Sequence, residues 1–488
     1  MGAREGIEHV VVLMLENRSF DCMLGRLYPK CAGFDGLTGA EFNPYHTAAG
    51  VENIPVWNDT GMDPTTATIP DPDPGESFDD MTAQIYGRGV TADNRPPLMN
   101  GFVDNFMAQP ASTSPPRDKR AVMHYFTDKQ VPVISQLARA FGVSDQWHAS
   151  APCQTWPNRF FVHTATAGGH TDNNLLSDLP FSKPSIFRRL GDREKSWKIY
   201  FHDIPQTATL EDLWLAFEHF NHFDEKFEQD ARVGSLPNYS FIEPTYFAHS
   251  DMGLIPSDQH PPHNVVYGEQ LIARVYNAVR SAPTWKKTLL IITFDEHGGC
   301  YDHVPPPIAI SPDGDLGPYG FKFDRYGVRV PAVIISPYIP PGKVVRVSES
   351  GLPHRGPPFP FDHTSIIATL RTLFDLGAPL TARDAVAPDL LRSLSLAEPI
   401  NDGPDHVSAT ARASTTEELV SLESRPPNDM QRSLCSLAAR LPIKADEVTT
   451  HRDAIARGAL TATTPPIPDV RTGAEYVISR MKPIVQSE

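Results

Sequence analysis

A chain of 488 residues with a formal net charge of −16 and a pI near 5.5 is long enough for one large core or two smaller ones. Its acidity gives it no electrostatic reason to bind nucleic acid or an anionic membrane non-specifically, and at 40% hydrophobic and 21% charged it has the composition of a folded globular protein. The 48 prolines and 32 glycines imply long ordered loops carried on a rigid scaffold.

The five cysteines, Cys22, Cys31, Cys153, Cys300 and Cys435, are odd in number and show no CxxC spacing. They read as reduced thiols, with a Cys22–Cys31 bridge the one pairing left open. The N-terminal residues show neither an apolar signal core nor a twin arginine. No run of about 18 apolar residues occurs, so no transmembrane segment is expected. The resulting expectation is a cytoplasmic protein.

In chain order, His9-Val-Val-Val-Leu-Met-Leu15 is a continuous apolar run, the pattern of a strand buried on both faces. It delivers Glu16 and Asn17, two hard oxygen ligands, at its carboxyl end. Residues from about 35 to 120 are poor in periodicity, and Pro70-Asp-Pro-Asp-Pro-Gly75 reads as linker-like punctuation. This stretch is expected to be a long insertion over the carboxyl edge of a sheet. Within it Phe102, Phe106 and Met107, together with Trp156 further on, could form an apolar rim or belong to the core.

The spacing of Ile134, Leu137, Ala138 and Phe141 predicts a helix with an early proline, followed by a short strand. Pro157 stands where a helix first turn takes proline, which puts Thr155 at or just before a helix N-terminus. There the hydroxyl is either a simple cap or a nucleophile beside an anion-binding set of N–H groups. Ser196 to Asp203 and Leu236 to Glu243 are further strands ending in polar residues. Asp258-Gln-His260-Pro-Pro-His263 is a proline-stiffened loop with two histidines. Glu269 to Arg280 is amphipathic and leads into the apolar run Thr288 to Phe294.

That second run ends in Asp295-Glu296-His297-Gly298-Gly299-Cys300-Tyr301-Asp302-His303. Two adjacent carboxylates stand at the strand end, and the glycines let the backbone turn close to a ligand. Gly327 to Pro337 contains another buried strand, and Phe361 to Ser365 caps a helix. The alternation of strand and helix is that of an α/β fold with a largely parallel sheet, whose ligands bind beyond the carboxyl ends of the strands. Weaker helical patterns, Leu434 to Leu441 and Ala474 to Met481, follow after about residue 399.

Glu16, Asn17, Thr155, Asp295 and Glu296 thus sit at strand ends or a helix start. Their carboxylate, carboxamide and hydroxyl oxygens suit a divalent metal. A metal beside a threonine hydroxyl favours a nucleophile, and neutralises phosphate charge. His202, His260, His263, His303 and His363 are candidates to bind phosphate oxygens or protonate a leaving group.

Glu16-Asn17-Arg18-Ser19-Phe20-Asp21, Thr155-x-Pro157-Asn158-Arg159, His260-Pro-Pro, the block Asp295-Glu296-x-Gly298-Gly299-x-x-Asp302-His303-Val-x-Pro-Pro and Gly327-x-Arg329-Val-Pro resemble the phosphoesterase family. That family contains bacterial and plant phospholipases C and a bacterial acid phosphatase, within the alkaline-phosphatase-like superfamily. The motifs span roughly residues 7 to 375. Cys22 and Cys300 depart from its usual residues.

The resemblance implies an alkaline-phosphatase-like α/β fold, with a largely parallel central sheet, helices on both faces, long loop insertions and a helical C-terminal tail. The catalytic domain is expected over residues 1–400, and the residue patterns predict the insertion at about 35–120 and a helical extension over 401–488 packed on it. Thr155 is implied as the nucleophile of a phosphothreonine intermediate. Glu16, Asn17, Thr155, Asp295 and Glu296 are implied as the shell of a divalent ion, for which Mg, Mn, Ca, Zn and Fe all remain open. His260 is implied to contact phosphate or donate a proton, and Asn158, His202 and His303 to contact substrate. The expected partner is a small-molecule or lipid phosphate ester. A phospholipase C-like reaction leads, with an acid phosphatase-type monoesterase or a phosphoryl transferase as alternatives.

Overall fold

The structure, a computed structural model, describes residues 6–31, 33–59, 66–89, 96–110, 116–174, 179–214, 216–347, 359–441 and 464–485. Part of the expected insertion and part of the expected tail therefore lie outside the described residues, as do residues 1–5.

Eight strands form the central sheet: β1 (His9–Leu15), β2 (Gly142–Ser144), β3 (Trp197–Phe201), β4 (Phe220–His222), β5 (Tyr239–Ile242), β6 (Thr288–Phe294), β7 (Ala332–Ile335) and β8 (Lys343–Val344). Their order is β8-β2-β7-β6-β1-β5-β3-β4. β1 pairs in parallel with β5 and β6, β3 with β5 and β4, and β8 with β2. β7 runs antiparallel to both β2 and β6. Every residue of β6 is buried, as is all of β1 after His9. Such strands are covered on both faces, which is why they read as unbroken apolar runs.

The register does the positioning. Leu15 lies opposite Phe294, so β1 and β6 end level. The next residues, Glu16 and Asp295, then emerge side by side, and the Asp295 amide still donates to the Leu15 carbonyl at 3.2 Å.

The helices around the sheet include α1 (Pro132–Ala140), α2 (Thr155–Thr164), α3 (Val265–Ser281) and α4 (Thr364–Phe374). α1 carries its proline in the first turn, where the missing N–H costs nothing. α5 (Thr416–Glu423), α6 (Asp429–Arg440) and α7 (Val470–Val485) follow. Leu434, Leu437, Ala474 and Val477 from α6 and α7 enter the same apolar cluster as the sheet residues Val10, Phe241 and Ile291. Among the described residues no helix is long and apolar enough to cross a membrane.

The insertion is more ordered than its weak periodicity suggests. It holds a hairpin, Phe42–Thr47 with Gly50–Pro55, and helices Phe78–Tyr86 and Phe102–Ala108. These close over a second apolar cluster built from Ile54, Ile85, Phe102, Phe106 and Val122. Phe102 and Phe106 are therefore core, and Met107 packs against them. Trp156 is buried too. The apolar rim that these residues could have formed is not what they build. All five cysteines are free, so Cys22 and Cys31 are not bridged.

Candidate active site

Beyond the level ends of β1 and β6, Asn17 adopts a left-handed backbone, with φ of 53°. Its amide then donates to Asp295 Oδ1 at 3.1 Å, tying the two strand ends together. Gly298 completes this packing. Its φ is +59°, and a Cβ there would meet the Asn17 carbonyl oxygen at 2.2 Å. No other residue fits such a close backbone approach.

Thr155 is the first residue of α2, and the N-cap position belongs to Gln154. The cap reading of Thr155 therefore fails. Its hydroxyl is fully buried and donates instead to Asn17 Oδ1 at 3.4 Å. One turn further, i to i+4 spacing puts Arg159 on the same helix face. Arg159 Nη2 donates to Glu16 Oε1 at 3.0 Å and Nε to Asp295 Oδ2 at 3.3 Å. Its Nη1 lies 3.8 Å from Glu243 Oε2, and its guanidinium faces the Tyr246 ring. The whole set is inaccessible to solvent.

Burial pushes the carboxyls of Glu16 and Glu296 well above the usual carboxylate range, and Asp295 upward. Arg159 opposes this at Glu16, while the neighbouring charges of Asp295 and Asp258 add to it. Glu16 Oε2 and Glu296 Oε1 are buried and have no hydrogen-bond partner among the described residues. An oxygen-rich cluster short of positive charge, with unpartnered carboxylate oxygens, fits a hard divalent cation. Glu16, Asn17, Thr155, Asp295 and Glu296 are the residues that would hold it.

The prolines from 70 to 74 are not mere punctuation. They deliver Asp73 and Glu76, neither of which was read as a site residue, against His260. Glu76 Oε1 accepts from Asn17 Nδ2 at 2.7 Å and lies 3.5 Å from His260 Nε2, while Asp73 Oδ1 lies 3.7 Å from His260 Nδ1. Burial disfavours a charge on His260, but Asp73, Glu76 and Glu16 outweigh it and hold the imidazole pKa well above its ordinary value. Glu76 thus links His260 to Asn17. His263 bonds to Asp258 at 2.7 Å.

The remaining sequence candidates have other partners. Asn158 spends its amide on the backbone of the loop before α2, donating to Cys153 O at 2.7 Å and Ala151 O at 3.2 Å. It fixes the loop that leads into Thr155. His202 hydrogen-bonds the Glu243 carbonyl at 2.8 Å and stacks on Phe223, and burial lowers its pKa to about 4. His303 bonds to Asp21 at 2.6 Å, in a separate network where Arg329 reaches Asp21 and Asp302, each at 3.0 Å. Arg329 and His303 are the cationic groups that face this carboxylate pair. His363 Nε2 donates to the Asp295 carbonyl at 2.6 Å, so it braces the strand end from behind.

Comparison with known proteins places the chain among named relatives. The model of the phosphoesterase family matches residues 7–377. Non-specific phospholipase C1 of Arabidopsis thaliana is 42% identical over 393 residues, which cover 78% of this chain and 69% of the relative. Non-specific phospholipase C6 of the same plant is 39% identical over 447 residues, 89% of this chain and 81% of the relative. Phospholipase C A of Mycobacterium tuberculosis is 29% identical over 458 residues, 82% of this chain and 80% of the relative. With the family model spanning the sheet and both strand ends, the chain belongs to the phosphoesterase family and is a phosphoric ester hydrolase.

Proposed function

We propose that this enzyme is a phospholipase C-like phosphodiesterase that works through a phosphothreonine at Thr155 and requires a divalent cation. The observation that carries the reading is the Thr155 hydroxyl, buried at the start of α2 and bonded to Asn17 Oδ1, with Glu16 and Asp295 held by Arg159 of the same helix and His260 linked to Asn17 through Glu76. The relatives named phospholipase C supply the substrate class.

The cation would lower the pKa of the Thr155 hydroxyl and neutralise phosphoryl charge. Thr155, its proton passed to a water molecule that enters with the substrate, attacks phosphorus through Oγ. The new Oγ–P bond forms as the P–O bond to the alcohol breaks. His260 gives its proton to the departing oxygen, which leaves as a neutral alcohol. Asp73 and Glu76 hold the proton ready on His260 until that moment. Water next gives a proton to the neutral His260 and attacks phosphorus. The P–Oγ bond breaks, releasing a phosphate monoester and restoring both residues. Arg159 holds Glu16 and Asp295 in place throughout.

The test pairs p-nitrophenyl phosphorylcholine with p-nitrophenyl phosphate across several divalent cations. Release from the choline diester is expected. Release from the monoester alone would make the enzyme an acid phosphatase-type monoesterase instead. Thr155→Ala should cut turnover by at least about a thousandfold, as loss of a nucleophile does in other covalent hydrolases. Its fold should survive, because one hydroxyl leaves no large cavity. Wild-type turnover by that variant, or absence of phosphate on Thr155 in quenched wild-type enzyme by mass spectrometry, would refute the intermediate.

A further inference from the structure

Cys22 follows the strand end that carries Glu16 and Asn17, and Cys300 follows the one that carries Asp295 and Glu296. We propose that these two thiols are a redox modification site, which hydrogen peroxide closes to a disulfide that silences the enzyme until a thiol reductant reopens it. The inference needs only the phosphoric ester hydrolase activity, not the phosphodiesterase reading above.

The first observation is the contact. The Cys300 thiol donates to the Cys22 sulfur, and both side chains are buried. The surrounding backbone holds them there. Ser19 Oγ donates to the Tyr301 carbonyl at 2.6 Å and accepts from the Cys22 amide at 3.1 Å. The Asp21 amide donates to Asp302 Oδ2 at 3.2 Å. The two segments are therefore joined on the chain neighbours of both cysteines.

The second observation is a buried cation beside the pair. Arg18 Nε donates to the Gln259 carbonyl at 2.8 Å and Nη1 to the Ile69 carbonyl at 2.5 Å. Its Nη2 has no nitrogen or oxygen partner among the described residues. The guanidinium lies 5.6 Å from the Phe126 ring, and the Phe126 amide donates to the Cys22 carbonyl at 2.7 Å. The Cys22 sulfur, which interacts with this guanidinium, takes the place of the missing partner. The bond from Cys300 and the Arg18 charge hold the Cys22 thiol below its ordinary pKa, against desolvation. Cys300 moves well above its own, because it donates to Cys22 and is buried. Burial likewise raises Cys153, and Cys435 to about 12. Among the buried thiols, Cys22 is thus the nucleophile and Cys300 its resolving partner.

The Cys22 thiolate attacks one peroxide oxygen. The O–O bond breaks, and the departing hydroxide takes up the thiol proton as water. The Cys300 sulfur then attacks the Cys22 sulfenic sulfur. The S–S bond forms, the S–O bond breaks, and the oxygen leaves with the Cys300 proton as a second water. The thiols are oxidised by two electrons and the peroxide is reduced by two.

The third observation is the lack of slack. An S–S bond of about 2.05 Å is much shorter than a hydrogen-bonded approach of two thiols, so closure draws the segments together. A Cβ on Gly298 would already meet the Asn17 carbonyl oxygen at 2.2 Å, and one on Gly299 the Pro74 Cβ at 2.6 Å. The movement therefore reaches Asn17 and Glu296, and a misplacement of about 1 Å can cost about a hundredfold in rate.

In the experiment, the full-length enzyme is treated with hydrogen peroxide, quenched with N-ethylmaleimide in denaturant and mapped by mass spectrometry. A Cys22–Cys300 peptide is expected, and dithiothreitol should abolish it. Turnover of whichever p-nitrophenyl ester the wild type accepts should fall at least about tenfold on oxidation and return with the reductant. Cys22→Ala should keep its turnover through the same treatment. In Cys300→Ala the sulfenic acid at Cys22 has no resolving thiol, so dimedone should trap it; either variant suffices where the other misfolds. Oxidation confined to the exposed Cys31, equal loss of turnover in wild type and Cys22→Ala, or full turnover by the cross-linked enzyme overturns the proposal. If the wild type hydrolyses neither ester, the phosphodiesterase reading fails while the peptide map still decides the pair.

Discussion

Arg159 is the residue on which the charge balance of the site turns. It lies fully buried between Glu16, Asp295 and Glu243. Its own desolvation is outweighed by these partners and Tyr246, so the guanidinium stays charged. Arg159→Met should destabilise the fold by about 3–5 kcal/mol, because it leaves buried carboxylates without their counter-ion. Arg159→Lys keeps the charge and loses the fork that spans two carboxylates, so it should fall between the two. Denaturant unfolding reads both values, and wild-type stability in the Met variant would show that Arg159 does not hold the site together. At this scale the sequence was informative wherever an apolar run stopped abruptly. Glu16, Asn17, Asp295 and Glu296 were legible because each follows a buried strand. Asp73 and Glu76 were not, since their segment has no periodicity and their partner His260 is distant in the chain. Asn158, His202 and His303 match motifs or polar loops, yet a motif cannot say whether an amide or imidazole is spent on a neighbouring carbonyl or carboxylate.

The elements are legible where the side-chain pattern carries direction, and less so where it does not. α1, α2 and α3 announce themselves by apolar spacing and proline placement. β7 is apolar on both faces, and such a run looks the same read either way, so its antiparallel course appears only in the pairing with β2 and β6. The insertion hid its own core because the residues of that core come from a hairpin and two short helices far apart in sequence. One contact between elements sets a pH dependence. Glu269 of α3 accepts from the amides of Val133 at 2.5 Å and Ile134 at 3.3 Å, in the first turn of α1. Burial nonetheless raises its pKa from an ordinary 4.5 to about 8, against the pull of those two amides. A carboxyl raised on folding holds its proton more tightly in the native state. Its contribution to stability is therefore complete below pH 4.5 and is lost as pH rises through about 8. Glu269→Gln cannot titrate, so its melting temperature should decline less than that of the wild type between pH 5 and pH 9. Parallel declines would show that Glu269 is ionised in the native protein throughout.

At the scale of the whole molecule, a chain of net charge −16 gathers Glu16, Glu76, Asp295 and Glu296 into one buried site served by Arg159 and His260. The sheet pays for this concentration of like charge in stability, and a bound cation would return it. Binding to the folded state alone stabilises by about 2.7 kcal/mol at a hundredfold excess over Kd. Adding a divalent cation to chelator-treated enzyme should therefore raise its melting temperature in a saturable way. Glu296 makes the test specific. Burial raises its pKa first, and the charges of Glu76 and Asp295 raise it further. Glu296→Gln removes that repulsion and one ligand oxygen together. The variant should melt at or above the cation-free wild type, yet respond to cation weakly or not at all. Opposite changes in the two quantities separate a ligand from a merely structural carboxylate, whose loss would lower the cation-free midpoint and leave the cation response intact. A wild-type midpoint indifferent to every divalent cation tried would remove the metal from the proposed mechanism, and Thr155 would then need another source of activation.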